Sequence, residues 1–141
     1  MATGPDLSKE FPRSPRQEMA GLVWVPRMLD KARASLHGQL GEYIFPCPMD
    51  KVVLEFLQID ADDFAKMAIG KTDAEIQSWI QQTAGGAADE KRLATNSVIL
   101  EKKPDTPEKQ EKFRRLRDAI DPTRPDIQTW SSLIDLEEGR S

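Results

Sequence analysis

The sequence has few of the residues that most often build catalytic or metal sites. Its 141 residues include one histidine, one cysteine and one tyrosine. A single cysteine cannot form an internal disulfide. One histidine and one cysteine cannot supply the three or four nitrogen and sulfur ligands of a usual zinc site. Spacing signatures for Ser-His-Asp or paired-cysteine chemistry are also missing. We therefore expect no metal and no cofactor, and we favour a non-enzymatic function over an enzymatic one.

Long apolar runs and a strong excess of one charge are missing as well. No apolar stretch approaches the ~20 residues that span a membrane, and the N-terminus lacks the apolar segment of a signal peptide. With its unpaired cysteine, the chain is expected to be soluble and cytoplasmic. The net charge is −4, and no basic stripe stands out. We therefore expect neither nucleic acid nor a membrane as a partner.

Signals for short helices, in contrast, are frequent along the chain. They predict an all-α or mainly α protein: a single compact helical domain of about five to seven helices over residues 18–141. Residues 1–17 contain three prolines, which prevent a continuous helix. We expect these residues to form an extended N-terminal arm packed on the domain, anchored by Leu7 and Phe11.

Several helix boundaries are marked by capping residues and prolines. Pro26 and Pro48 each suit the first position of a helix, and Asp60 is a suitable N-cap for a third. The capping box Thr72–Glu75 predicts a fourth helix, which the glycines at 85–86 should end. We expect the starts of the first two helices to lie close together in space.

The remaining elements have weaker signals. A helix is predicted over residues 89–95, followed by an irregular segment over 96–103. Thr106 and Pro107 predict a further helix start, and a last helix is predicted at Pro125–Leu136. Tyr43–Phe45 is predicted to be extended, with residues 22–25 as the available pairing partner.

The first predicted helix has two distinct faces at 100° per residue. The apolar face predicts core positions at Val25, Met28, Leu29, Ala32 and Leu36. The opposite face is polar and is expected to be accessible; it carries Arg27, Asp30, Arg33 and His37.

Several segments together resemble a family of small, mostly bacterial proteins known as the domain of unknown function 5069. The resemblance covers nearly the whole chain and is carried by residues 12–15, 26–34, 41–43, 47–50, 59–61, 70–76, 126–130 and 136–140. It implies a cytosolic single domain of bacterial type. It implies no activity, because the family has none assigned to it.

Cys47 is a candidate reactive group, since it lies at or beside a helix N-cap, where a thiolate is stabilised. His37 could then act as a base in space. The other interpretation is a small buried residue between two prolines. Tyr43 and Asp50 belong to the same turn and complete this candidate segment.

The polar face of the first helix also has two interpretations. A phosphate or carboxylate could be held by Arg27, Asp30, Lys31 and Arg33, with the arginines supplying bidentate guanidinium contacts. Alternatively, Asp30 pairs with either arginine at i,i+3 spacing, and His37 complements the helix dipole in the last turn.

Two functions remain open from the sequence. The first is a non-enzymatic binding or interaction module that uses the Arg27–His37 face and the Tyr43–Asp50 turn, with a small anion or a protein as partner. The second is a small enzyme or redox-sensing protein with Cys47 as its reactive thiol. The first is preferred because no complete catalytic constellation is visible.

Overall fold

The computed structural model describes residues 4–84 and 89–140, which contain seven helices and one two-stranded sheet. The strands are β1 (Glu18–Met19) and β2 (Leu22–Val23), paired antiparallel. The helices are α1 (Val25–Leu36), α2 (Pro48–Leu57), α3 (Ala61–Gly70), α4 (Asp73–Ala84), α5 (Asp89–Glu101), α6 (Pro107–Ile120) and α7 (Trp130–Glu137). The prediction of a mainly α protein with five to seven helices is confirmed. None of the helices in the described ranges is long and apolar enough to cross a membrane.

The capping signals of the sequence correspond to real helix starts. Pro26 and Pro48 lie in the first turns of α1 and α2. Asp60 accepts a hydrogen bond from the Asp63 backbone N–H at 2.8 Å. Thr72 and Glu75 bond reciprocally as a capping box. Local chemistry therefore predicted these starts correctly, whereas the predicted break at 85–86 lies outside the described residues.

Helix α1 lies at the centre of the fold, and its burial differs from the prediction. It packs against α3 and β1, and ten of its twelve residues are buried, polar ones included. The expectation of an accessible polar face is therefore wrong for Arg27, Asp30 and Arg33. Leu36, predicted as core, is half exposed because it lies in the last turn. A central helix has neighbours on every side, so its polar face meets partners instead of water.

The prediction of strand pairing at Tyr43–Phe45 is wrong, since these residues are irregular. Residues 22–23 pair instead with β1. Their two-residue turn has positive φ at both Ala20 (54°) and Gly21 (76°), which is the geometry that matches the twist of a tight hairpin.

Helix α5 is longer than predicted, and α7 starts later. Residues 96–101, predicted as irregular, continue α5. The Asn96 side chain accepts from Val23 N–H and donates to the Gly21 carbonyl, both at 3.0 Å. It therefore supports the hairpin instead of competing with its own helix. Thr129 caps α7 by accepting from Ser132 N–H, so the helix starts there and not at Pro125.

The segment before β1, residues 4–17, contacts the helices at several positions, Arg13 and Ser14 among them. Leu7 is buried, whereas Phe11, its predicted partner as an anchor, is 55% exposed. The Ser14 hydroxyl donates to Asp135 of α7 at 2.9 Å. The division of the chain at residue 17 stays a prediction.

Candidate functional site

A cleft of about 870 Å³ lies between four parts of the chain. Residues 7–11 form one wall, residues 41–47 form another, and side chains from α1 and from the end of α7 complete the lining. Gly41 allows two walls to meet: its φ is +60°, and a Cβ there would lie 2.8 Å from the Leu7 carbonyl oxygen. The cleft therefore depends on contacts between distant parts of the sequence.

The first polar network of the cleft is centred on the buried carboxylate of Glu138. Arg27 donates two hydrogen bonds to it, at 2.9 and 2.8 Å, and both side chains are 4% exposed. The Tyr43 hydroxyl donates to the same carboxylate at 2.7 Å. Arg140 also pairs with Glu138. This carboxylate is thus fully engaged inside the protein.

These contacts shift two pKa values in opposite directions. Burial raises the pKa of Tyr43 to about 12, and the hydrogen bond to Glu138 adds to this effect. Burial alone would raise the pKa of Glu138, but hydrogen bonds and charge from Arg27, together with the bonds from Tyr43 and Arg140, outweigh it and lower that pKa. Glu138 is therefore ionised and Tyr43 neutral near neutral pH.

The second polar network joins α1 to the start of α2 through Asp50. The Lys31 ammonium lies 2.7 Å from Asp50, and the indole N–H of Trp24 donates to Asp50 at 2.7 Å. The Cys47 backbone N–H donates to the same carboxylate at 2.9 Å. Lys31 also donates to the Cys47 sulfur at 3.2 Å. Asp50 thus organises the helix start predicted at Pro48.

Trp24 connects the two networks and has an unusual backbone. Its φ of 76° lies in the left-handed region, which is rare for a bulky residue. The guanidinium carbon of Arg27 lies 5.4 Å from the centroid of the Trp24 ring, and the Lys31 ammonium lies 5.7 Å from it. Cations at these distances from an indole are attracted to its π-face. The strained backbone therefore places one ring against both cations.

Four of the seven predicted site residues lie in these two networks. Arg27, Tyr43 and Cys47 line the cleft, and Asp50 supports its floor while being fully buried. The expectation that the starts of the first two helices lie close together is confirmed by the hydrogen bond from Trp24, the N-cap of α1, to Asp50 in the first turn of α2.

Asp30 and Arg33 belong to a separate network. Asp30 accepts from the guanidinium of Arg13 at 3.1 Å, so the predicted i,i+3 pairing with Arg27 or Arg33 is wrong. Arg33 pairs with Asp73 of α4 at 2.7 Å, and Arg13 joins the same carboxylate at 2.8 Å. Longer-range partners displaced the local ones because α1 is buried among other segments.

His37 lies apart from both networks. It is exposed at the C-terminal end of α1, where its backbone N–H bonds the Ala34 carbonyl. It does not line the cleft, and within residues 4–84 and 89–140 no contact with Cys47 makes it a base for that thiol.

Comparison with known proteins identifies the family. The model of the domain of unknown function DUF5069 matches residues 9–140. The chain belongs to the DUF5069 family. The resemblance predicted from the sequence is therefore confirmed, and no curated protein matches the chain.

Sequence reasoning missed several cleft residues of this DUF5069 protein. Lys31 was predicted with the arginines as part of an anion site on the first helix, but its contacts with Cys47 and Asp50 were not predicted. Glu137 and Glu138 had no comparable signal, since Glu138 lies 111 positions from Arg27. In the described ranges, no group of three or more histidine, cysteine or acidic side chains is arranged to hold a metal ion.

Proposed function

We propose that this DUF5069 protein is a non-enzymatic binding module whose small-molecule ligand occupies the cleft. The observation that carries the proposal is a cleft of about 870 Å³ with two hydrogen-bonded ion pairs at its floor. Small-molecule sites typically have volumes of ~300–1,000 Å³ and combine apolar walls with a few convergent polar groups.

The energetics of the floor support a binding role. A buried ion pair costs much of its Coulombic gain in lost hydration, and well-packed apolar replacements are often more stable by about 1–4 kcal/mol. The pairs Arg27–Glu138 and Lys31–Asp50 are both buried. Two such pairs at one cleft are easier to explain by recognition than by stability.

The arrangement favours the Tyr43–Asp50 turn with Arg27 as the binding segment and leaves the exposed His37 outside it. A small anion was the ligand expected from the arginines. However, Arg27 and Arg33 are already paired with carboxylates. A protein partner was the other expectation, and the concave shape favours a small molecule instead.

A cleft-filling variant tests this function. Ile44 lines the cleft and is 68% exposed, so Ile44→Trp should obstruct it without disturbing the core. We expect benzylamine, benzyl alcohol or phenylacetate to shift the backbone amide signals of Gly41 and Cys47 saturably by NMR. Ile44→Trp should weaken that binding, whereas Val98→Trp, on exposed α5, should not. Absence of any saturable shift, or an unchanged affinity in Ile44→Trp, overturns the proposal.

A thiol function is the second candidate, favoured by the 3.2 Å contact of Lys31 with Cys47. An ammonium group beside sulfur stabilises a thiolate, but Asp50 balances the Lys31 charge here. Because Cys47 is the single cysteine, its alkylation can be followed directly. The thiol function requires faster alkylation at pH 7 than a model peptide thiol. The binding function predicts a rate no faster than that, since the sulfur is partly buried.

A further inference from the structure

The cations of the cleft already have partners inside the protein. Arg27 is bound by Glu138 through two hydrogen bonds, and Lys31 is bound by Asp50. Binding a ligand anion at either would require competition with a buried carboxylate. The floor is therefore not a free anion site, although it contains two positive charges.

Glu137 differs from these cations because its charge has no counter-ion in the described residues. Its side chain lines the cleft, and it makes no hydrogen bond or ion pair within the described residues. Partial burial, and then the neighbouring charge of Glu138, raise the pKa of Glu137 above its ordinary value, while Arg27 lowers it to a smaller extent. The residue is nevertheless exposed, so a ligand can reach it, and a cation beside it would stabilise its ionised form.

Two further acidic residues lie at the opening of the cleft, which we call the rim. Glu10 and Glu42 come from two different walls and have no ion-pair partner among the described residues. Lys9 is the lysine of the rim, and it lies 3.9 Å from Asp6. The uncommitted charge around the opening is therefore mainly negative.

Several other lining residues are apolar. Leu7 and Phe11 come from the first wall, Ile44 from the second and Ile134 from α7. Phe11 and Ile44 are exposed, so their apolar surface is open to a ligand. A matching ligand has an apolar body and one positively charged end.

We propose that the cleft binds an organic cation, an ammonium group attached to an apolar substituent, with the ammonium at Glu137 and the substituent against Phe11 and Ile44. This inference rests on the proposed binding function and specifies its ligand class. A small organic ammonium ion fits the volume of the cleft. Its ion pair with Glu137 would fix the orientation of the ligand, which apolar contacts alone do not.

Three probes of similar size separate the ligand classes. Benzylamine carries the ammonium group, benzyl alcohol is neutral and phenylacetate is an anion. We expect benzylamine to bind at least about fivefold more tightly than the other two by NMR titration, as an ion pair of modest strength provides. Glu137→Gln should reduce benzylamine affinity to that of benzyl alcohol. Glu111→Gln, a matched change on exposed α6, should leave it unchanged.

A stability measurement excludes a merely structural role for Glu137. The folded protein raises the pKa of this carboxylate, so ionisation destabilises the fold and that cost is fully present at neutral pH. Glu137→Gln should therefore keep or increase the melting temperature at pH 7 while removing the preference for benzylamine. A lower melting temperature would contradict the role assigned here.

The outcomes distinguish the two proposals. If phenylacetate or benzyl alcohol binds in the cleft as tightly as benzylamine, or if the preference survives in Glu137→Gln, the ligand class is wrong while the binding function stands. If none of the three probes shifts the cleft amides, both proposals fail.

Discussion

Tyr43 is the residue at which burial and hydrogen bonding are easiest to measure. It is the single tyrosine of the chain, so no other phenol contributes to a titration. Its hydroxyl donates to a buried carboxylate, Glu138, and ionising it would place two negative charges together. The neutral form is therefore strongly preferred in the folded protein.

We predict that Tyr43 titrates near pH 12 in the folded protein, against an ordinary value of 10.0. The raised pKa means that this hydroxyl contributes stability below pH 10, which is lost as the pH rises through about 12. Near-ultraviolet absorbance of the tyrosinate measures the midpoint, and circular dichroism shows whether the fold persists. The same titration in denaturant is the control. A midpoint near 10 while the helices remain folded would contradict the predicted burial effect.

Trp24 shows what a single residue contributes to the shape of the site. Its left-handed backbone precedes α1, and its indole binds Asp50 across to α2. Strained backbone persists where the surrounding contacts determine it. Here those contacts are the buried carboxylate and the two cations over the ring.

At the scale of elements, α1 connects most of the fold through charged side chains. Arg27 reaches α7, Lys31 reaches α2 and Arg33 reaches the start of α4. An amphipathic pattern predicts one buried face and one exposed face. That rule applies to surface helices, and α1 departs from it because segment 4–17 and α7 cover its polar face.

The carboxylate of Asp73 is the junction of segment 4–17, α1 and α4. Burial alone would raise its pKa, but the hydrogen bonds from Arg33 and Arg13 outweigh it and lower the pKa below the ordinary 3.8. We predict that Asp73→Asn reduces the free energy of unfolding by about 1 kcal/mol at pH 7, a value discounted for the partial exposure of this side chain.

The pH dependence of that effect follows from the direction of the shift. A lowered pKa contributes stability that is fully present above the ordinary value and lost as the pH falls through the folded-state value. The difference between wild type and Asp73→Asn should therefore shrink below pH 3.8, as measured by urea unfolding. Asp118→Asn is the matched control, since the ion pair of Asp118 in the described part of the chain is with adjacent Arg117, and its loss should change stability little. An equal loss in both variants would exclude a junction role.

At the scale of the whole molecule, the cleft is a product of chain folding and not of one motif. Its walls come from residues 7–11, 41–47, α1 and α7. A second small core of Phe113, Ile127, Leu133 and Leu136 joins α7 to α6. Phe113 meets Trp130 edge to face at 5.0 Å, which holds α7, the helix that ends at Glu137 and is capped by Glu138.

Much of the helical framework was predictable, but the site was predictable only in part. Cys47, Tyr43 and Asp50 were selected because they crowd a turn marked by two prolines. Arg27 was selected with Asp30, Arg33 and His37 as one face, and the structure divides that set among three places. The division could not be predicted, because the partners of Arg27 and Arg33 are 111 and 40 positions away.

The sequence by itself determined the helical class and most helix starts, because caps, prolines and capping boxes act within one helical turn. The tertiary structure decided which charges are buried, which carboxylate remains uncommitted and where the cleft lies. Those properties depend on which distant segments come into contact. These contacts set the partners and the hydration of each charged group, and therefore its free energy.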